Sequence, residues 1–167
     1  MNHGDLGDEW IDSWIARWGD RITRYAFVLL RDSHLAQDVA QETFLRLYQM
    51  HIRHPDRAMQ PAWLFTVARR YAFDLMRHHD RTVPWDMVPD DQVNHQHPGV
   101  GNGILLQDLL EHLAPLDREC LWLFYYLDWT TNQIAQHLKI TPGAARGRLL
   151  RARRRLHELW EVDSDVR

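Results

Sequence analysis

The sequence predicts an all-α protein of two small helical domains joined by a flexible linker, with a helix-turn-helix in the C-terminal domain. Apolar residues recur at three- and four-residue steps over long stretches, which is the period of amphipathic helices. Residues 82–103 hold three Pro, three Gly and three Asp but neither Lys nor Arg, a composition typical of an extended linker. Near the C-terminus, Thr130 and Thr141-Pro142 each signal the start of a helix, and a short turn at Lys139-Ile140 joins the two helices. These observations place the domains at residues 6–81 and 104–160.

Composition limits the class of protein. Of 167 residues, 45% are hydrophobic and 26% are charged, which is enough for one or two small cores. The single cysteine, Cys120, precedes an apolar run, so we expect a buried packing residue rather than a nucleophile. One cysteine forms no internal disulfide, which suits a reducing cytoplasm. No apolar run reaches the ~18 residues of a membrane span and no signal segment opens the chain, so we expect a cytoplasmic protein without membrane insertion.

Charge is distributed unevenly along the chain. The net charge is −3, and the first twenty residues hold five acids against Arg17. From Lys139 to His157, by contrast, seven residues are Lys or Arg and none is acidic. A basic helix in an acidic protein indicates DNA binding that is weak until a partner supplies the remaining affinity.

Two helices are predicted before residue 55. The first covers Trp10 to Leu30, and Gly19-Asp20 is where we expect it to bend or break. Asp32 or Ser33 caps the second. Its expected core side consists of Leu35, Val39, Phe44 and Leu47. Another face carries Asp38, Gln41, Glu42 and Leu45 at positions i, i+3, i+4 and i+7. Spacing alone favours plain solvent contact for that face, with a docking surface as the alternative.

The third predicted helix starts at Pro61, after the polar loop 51–60, and runs to about Arg81. Its aromatic residues alternate with arginines: Trp63, Phe65, Tyr71 and Phe73 with Arg69, Arg70, Arg77 and Arg81. Such a helix can stack on unpaired bases and bind a single strand. The same residues can equally be core aromatics and solvated charges. The core candidates are Val67, Ala68, Tyr71 and Leu75.

Helices at 104–113 and 116–127 are expected to support the helix-turn-helix, with the segment LWLFYYL as the most buried part. Thr130 can cap a short helix that buries Ile134, Ala135 and Leu138. Lys139-Ile140 turns the chain, and Thr141-Pro142 starts the last helix, because Pro fits the first helical position and the Thr hydroxyl can accept an amide hydrogen.

The last helix has one apolar stripe, formed by Ala145, Leu149, Ala152, Leu156 and Leu159. Its other faces carry Arg146, Arg148, Arg151, Arg153, Arg154 and Arg155. A solvated surface is the simpler interpretation of an arginine run, but the capped helix and turn before it favour a recognition helix in a major groove. Arg146 and Leu150 are then the candidates for contact with base edges, and Gly147 permits close backbone approach. Arg151 and Arg154, with Arg148 as a further candidate, are placed to hold phosphates.

Three segments together resemble the extracytoplasmic-function (ECF) class of bacterial RNA polymerase sigma factors. They are DVAQETFLRLY (38–48), WLFTVARRYAFDLMR (63–77) and residues 113–156, in that order, and the resemblance extends from about Leu6 to Trp160. It implies a polymerase-binding helix, a helix that melts and reads the minus-ten promoter element, and a domain that reads the minus-thirty-five element. The partners it implies are core RNA polymerase, promoter DNA as duplex and melted strand, and an anti-sigma factor.

The resemblance also implies roles for individual residues. Those matching the polymerase-binding face are Asp38, Gln41, Glu42, Leu45 and Tyr48. Those matching the minus-ten surface are Trp63, Arg69, Arg70, Asp74, Arg77 and Arg81. Those matching the minus-thirty-five surface are Thr130, Thr141, Arg146, Gly147, Arg148, Leu150, Arg151 and Arg154. The chain departs from the usual pattern in three places: Arg70 replaces an Asn, Lys139 replaces the Gly of the turn, and Gly147 replaces a Ser.

Parts of the sequence are also compatible with two other classes of function. A stand-alone helix-turn-helix regulator accounts for the C-terminal half but needs neither the 38–48 segment nor the aromatic and arginine-rich helix. A metal hydrolase is suggested only by the histidines, which include His51, His54, His78, His79, His95 and His97. None of these has the HExxH spacing or a nearby set of cysteines. We therefore expect no catalytic residue, no metal and no cofactor.

Overall fold

The computed structural model of the protein describes residues 3–79 and 106–165, and these residues form helices joined by short turns. The helices are α1 (His3–Leu30), α2 (Ser33–Arg53), α3 (Pro61–His79), α4 (Leu106–Glu111), α5 (Pro115–Tyr126), α6 (Thr131–Leu138) and α7 (Pro142–Asp165). Contacts divide them into two compact units, α1–α3 and α4–α7. The all-α prediction is confirmed. The predicted linker 82–103 and Arg81 lie outside the described residues, and the domain boundaries stay a prediction.

The N-terminal unit is a three-helix bundle in which every helix packs against the other two. α1 runs unbroken through Gly19-Asp20, so the expected break there is wrong. A glycine inside a helix costs only about 1 kcal/mol, and the packing of Ile22, Tyr25 and Ala26, all fully buried, exceeds that cost. Within this part of α1, the Thr23 hydroxyl also donates to the Gly19 carbonyl at 2.9 Å.

The sequence offered two candidates, Asp32 and Ser33, for the N-cap residue of α2. Asp32 is the cap, because its carboxylate accepts the Leu35 amide at 2.9 Å. The buried side of α2 consists of Ala36, Val39, Ala40, Thr43, Phe44 and Leu47. Leu35 is only half-buried, contrary to expectation, because this first-turn residue lies at the end of the bundle.

On α3, the core side is rotated from the predicted one. Leu64, Phe65, Ala68 and Ala72 are buried, whereas the predicted Val67, Tyr71 and Leu75 are half-buried. Starting at Leu64, successive buried residues of α3 are separated by one, three and four positions, which places them on the side that faces α1 and α2. Phe65 is 1% exposed and meets Tyr25 edge-on, with ring centroids 5.4 Å apart. Of the aromatic residues that alternate with arginine, Phe65 therefore belongs to the core.

The C-terminal unit packs α5 and α6 against α7. The buried run on α5 extends from Asp117 to Leu123 and ends there, whereas Tyr125 is 59% exposed. The most buried segment is therefore Asp117–Leu123 and not LWLFYYL (121–127) as predicted, since only the first three residues of LWLFYYL are buried. Cys120 is fully buried, as predicted. Burial, followed by the neighbouring Glu119, raises the pKa of its thiol to about 12.

Candidate protein and nucleic-acid interfaces

The helix α6 is fixed at its start by a reciprocal cap. The Thr130 hydroxyl accepts the Gln133 amide at 3.2 Å, and the Gln133 side chain accepts the Thr130 amide at 2.8 Å. This capping box satisfies two amide groups that a helix start leaves without partners. Ile134, Ala135 and Leu138 are buried, as the sequence predicted. The cap holds the short helix of eight residues against α7.

The turn between α6 and α7 places a lysine in a conformation that favours glycine. Lys139 has φ 57° and ψ 42°, in the left-handed region, and its amide donates to the Ala135 carbonyl. The Ile140 amide donates to the same carbonyl at 3.0 Å. Lys139, which stands where the resemblance implies a Gly, thus adopts the strained left-handed conformation itself. The turn therefore keeps its shape without the glycine, at some cost in free energy.

At the start of α7, the Thr141 hydroxyl accepts the Ala144 amide at 3.1 Å, and Pro142 occupies the first helical position. The buried side of α7 includes Ala145, Leu149 and Ala152, which leaves the opposite face to solvent.

That opposite face carries an exposed stripe of Arg146, Leu150 and Arg154 at four-residue steps, which we call the outward stripe. Leu150 is 58% exposed although it is a large apolar residue. Within the described part of the chain, the side chains of Arg146 and Arg154 make no hydrogen bond and no ion pair. The outward stripe thus offers two guanidinium groups and one apolar side chain to a partner, which is the chemistry that reads base edges and phosphates.

The remaining arginines of α7 have partners inside the C-terminal unit. Arg148 donates to Asp117 at 2.8 Å and Arg151 donates to the same carboxylate at 3.3 Å. Arg153 donates to the Tyr125 hydroxyl at 2.9 Å, and Arg155 pairs with Glu158 at 3.3 Å. The roles predicted for Arg148 and Arg151 in phosphate binding therefore apply to side chains that already share an internal carboxylate.

Sequence reasoning missed Asp117 as a functional candidate. Its signal was an acidic residue on a helix segment whose other positions are mostly apolar, opposite a helix rich in arginine. The side chain is 9% exposed, and a carboxylate so buried requires a cationic partner.

The 38–48 segment of α2 forms a surface of mixed chemistry. Asp38 and Gln41 are exposed, and Leu45 is 50% exposed. Glu42 accepts from Arg46 at 2.7 Å, and Tyr48 is half-buried. Carboxylates and an amide thus lie beside an exposed apolar residue on one helix face.

Next to this face is an open, largely apolar groove of about 460 Å³ between α1 and α2. It is lined by Ile11, Ile15, Gly19, Thr23, Ala40, Gln41, Phe44, Leu45 and Tyr48. Ile15 follows the helical spacing of the apolar residues on α1 but is 44% exposed. The sequence could not distinguish a core position from the wall of a groove, because both follow the same helical period.

The exposed side of α3 combines arginines with aromatic rings. The Arg69 guanidinium lies 4.2 Å from the centre of the Phe73 ring, and Arg46 of α2 lies 5.5 Å from that of Tyr71. Arg77 forms an ion pair with Asp74. Arg70 is exposed, and Trp63 is half-buried. Apart from Arg81, the residues matched to the minus-ten surface therefore lie on one described helix.

Comparison with known families identifies both units. Residues 14–82 match the model of Sigma-70 region 2, and residues 104–156 match that of Sigma-70, region 4. Together they define a two-domain RNA polymerase sigma factor of the sigma-70 type.

Individual relatives show to which class of sigma-70 factors the chain belongs. The ECF RNA polymerase sigma factor SigM of Bacillus subtilis is 30% identical over 158 residues, which cover 90% of this chain and 94% of SigM. The sigma factor CarQ of Myxococcus xanthus is 30% identical over 162 residues, with 90% of each chain covered. The sigma factor RpoE of Bartonella quintana, solved with the anti-sigma factor NepR, has a TM-score of 0.68 at 26% identity, covering 91% of this chain and 97% of RpoE. The chain belongs to the ECF class of RNA polymerase sigma factors.

The resemblance found in the sequence is thereby confirmed. The protein is a transcription initiation factor, and the alternative of a stand-alone helix-turn-helix regulator is not favoured, since region 2 is present as well as region 4. Among the helices of residues 3–79 and 106–165, none is long and apolar enough to span a membrane.

Proposed function

We propose that the chain directs core RNA polymerase to its promoters through three surfaces: the 38–48 face of α2, the exposed side of α3, and the outward stripe of α7. The observation that carries the proposal is the outward stripe. The stripe lies on α7, which has a capped start, a hydrogen-bonded turn before it and a buried opposite face. Its two arginine side chains have no partner among the described residues of the C-terminal unit. Arg146 and Leu150 would read base edges of the minus-thirty-five element, and Arg154 would hold a phosphate.

In the N-terminal unit, the polymerase would dock on Asp38, Gln41 and Leu45, with Glu42 and Tyr48 beside them. Exposed carboxylate and amide groups suit a basic partner surface, and the apolar groove next to them adds burial of apolar area. Since the chain carries a net charge of −3, a polymerase-bound state also explains how a basic recognition helix can act in an acidic protein.

The exposed side of α3, with the loop predicted at 51–60, of which residues 54–60 follow the end of α2, would take up bases as the duplex opens. Trp63 and the pair of Arg69 and Phe73 offer planar groups for stacking, and Arg70 and Arg77 offer charge for the strand backbone. Arg81 is proposed for the same surface from its sequence match. Captured bases would offset the cost of strand separation, which is a few kcal/mol per unstacked step.

The remaining assignments follow from this mechanism. All three surfaces bind and position, so we assign the chain no catalytic chemistry and no cofactor. We place its action in the cytoplasm, where the expected partner, core polymerase, works. Its similarity to RpoE, which was crystallised with the anti-sigma factor NepR, supports an anti-sigma factor as a further partner.

The docking face is tested by charge reversal. Asp38→Lys with Glu42→Lys is expected to abolish co-elution with core polymerase, because two attractive charges become repulsive. The far-ultraviolet helical signal should not change. Glu9→Lys is the matched control: Glu9 is an exposed carboxylate on α1 that does not line the groove, so this variant should still assemble. Normal assembly of the double variant would show that the 38–48 face is merely solvated.

A further inference from the structure

The Asp117 carboxylate joins two arginines of the recognition helix. Its Oδ1 atom accepts from Nη1 of Arg148 at 2.8 Å and from Nη2 of Arg151 at 3.4 Å. Its Oδ2 atom accepts from Nε of Arg151 at 3.3 Å. Arg151 therefore meets the carboxylate through two of its five N–H donors, which is the planar, two-point geometry that fixes a guanidinium in orientation.

The two arginines differ in their exposure to solvent. The side chain of Arg148 is 23% exposed, whereas that of Arg151 is 57% exposed. Arg148 thus serves mainly to neutralise the buried carboxylate. Arg151 has its Nε side against Asp117, and its remaining donors are left for an acceptor outside the C-terminal unit. Within the described residues, Asp117 is the only hydrogen-bonding partner of the Arg151 side chain.

We propose that Asp117 is a positioning residue for promoter binding, which holds the guanidinium of Arg151 in the orientation that a DNA phosphate requires. The inference rests on the proposed function, together with the phosphate-binding role that the sequence predicts for Arg151. A free arginine side chain loses rotamer freedom when it binds a phosphate. An arginine already held by a carboxylate has lost much of that freedom on folding, so its contact with DNA costs less.

The sign of one measurement separates this role from plain electrostatics. Asp117 is a negative charge close to a DNA-binding surface. If charge alone mattered, its removal would tighten DNA binding, because the surface would become more basic. If Asp117 positions Arg151, its removal weakens binding although the surface has become more basic. The two accounts therefore predict opposite effects of Asp117→Asn.

The experiment is a double-mutant cycle in holoenzyme. The affinity for a promoter carrying its upstream element is measured for the unaltered protein, Asp117→Asn, Arg151→Ala and the double variant. Arg151→Ala should weaken binding about tenfold, the scale of one charge-assisted hydrogen bond. Asp117→Asn should weaken binding several-fold, and the double variant should bind no more weakly than Arg151→Ala, because Asp117 acts through Arg151. Unchanged or tighter binding by Asp117→Asn would overturn the proposal, and so would losses that multiply in the double variant.

Because Asp117→Asn also removes the partner of Arg148, a second variant tests the same idea at an exposed site. Arg151→Lys keeps the charge but lacks the fork that can hold Asp117 and a phosphate together. It should bind DNA almost as weakly as Arg151→Ala. Arg155→Lys, which removes a fork paired with Glu158 on the same helix, is the control that should bind normally. Normal affinity of Arg151→Lys would contradict the positioning role.

The outcomes also separate this inference from the function beneath it. If Arg151→Ala leaves affinity unchanged, the phosphate contact assigned to Arg151 is wrong and the positioning role falls with it. If Arg151→Ala weakens binding but Asp117→Asn and Arg151→Lys do not, the contact stands and only the positioning role is wrong.

Discussion

The exposed side of α3 and the outward stripe of α7 use arginine in different ways. In the N-terminal unit, guanidinium groups lie over aromatic rings, as Arg46 does over Tyr71 and Arg69 over Phe73. In the C-terminal unit, Asp117 holds two arginines of α7, and the outward stripe carries two that have no such partner among the described residues. Arg153 of the same helix, which is outside the outward stripe, lies over the rings of Phe124 and Tyr125. A stacked arginine presents a combined planar and charged surface, suited to unpaired bases. An aligned row of arginines matches the regular phosphates and base edges of a duplex.

The comparison is tested most strongly within α3, where neighbouring aromatics have opposite environments. Phe65→Ala should destabilise the N-terminal unit by about 3–5 kcal/mol, because it empties a fully packed site. Trp63→Ala, at a half-buried position, should cost about 1 kcal/mol but should reduce opening of promoter DNA. Hydrogen exchange of the α1–α3 amides measures the first effect, and permanganate reactivity of promoter thymines measures the second. Equal destabilisation by both variants would show that Trp63 is also a core residue.

The same contrast explains what could be predicted from the sequence. In the helix-turn-helix, local signals specify the structure: a capping box at Thr130, a Thr-Pro start at Thr141, and an apolar stripe that includes Ala145 and Leu149. These signals act between residues close in the chain, so they can be recognised in the sequence without knowledge of the tertiary structure. On α3, tertiary packing decides which of several aromatic faces is buried, and the predicted core side was rotated. Asp117 and Ile15 were likewise missed, because their roles depend on α7 and on the groove beside α2.

The turn of the helix-turn-helix allows a stabilising substitution. Lys139→Gly should raise the stability of the C-terminal unit by about 1 kcal/mol, because glycine adopts the left-handed conformation without steric cost. Lys139→Ala removes the same charge but keeps the Cβ atom, so it should give no such gain. Hydrogen exchange of the buried α6 and α7 amides provides the comparison. An equal gain from alanine would show that the charge, and not the backbone, determines the difference.

The smallest expected effect is on the rate at which a thiol reagent labels Cys120. Burial raises the pKa of its thiol to about 12, so the thiol is protonated at neutral pH. A group with a raised pKa contributes stability that is complete below its unfolded pKa, near 9, and is lost as the pH rises towards 12. Between pH 7 and 8.5, a thiol reagent should therefore label Cys120 only when the C-terminal unit opens, and Lys139→Gly should slow labelling. Rapid labelling that Lys139→Gly does not change would contradict a sealed core at Cys120.

The outward stripe is tested most directly by comparing its two arginines. The measurement is the affinity of holoenzyme for a promoter and its single-base variants at several salt concentrations. Arg146→Ala should cost about 1–3 kcal/mol and remove the preference at one upstream base pair. Arg154→Ala should weaken all sequences alike and reduce the log-log salt slope by about one unit. Should Arg146→Ala weaken every variant equally and leave the preference intact, Arg146 would be another phosphate contact, and the outward stripe would not read bases through it.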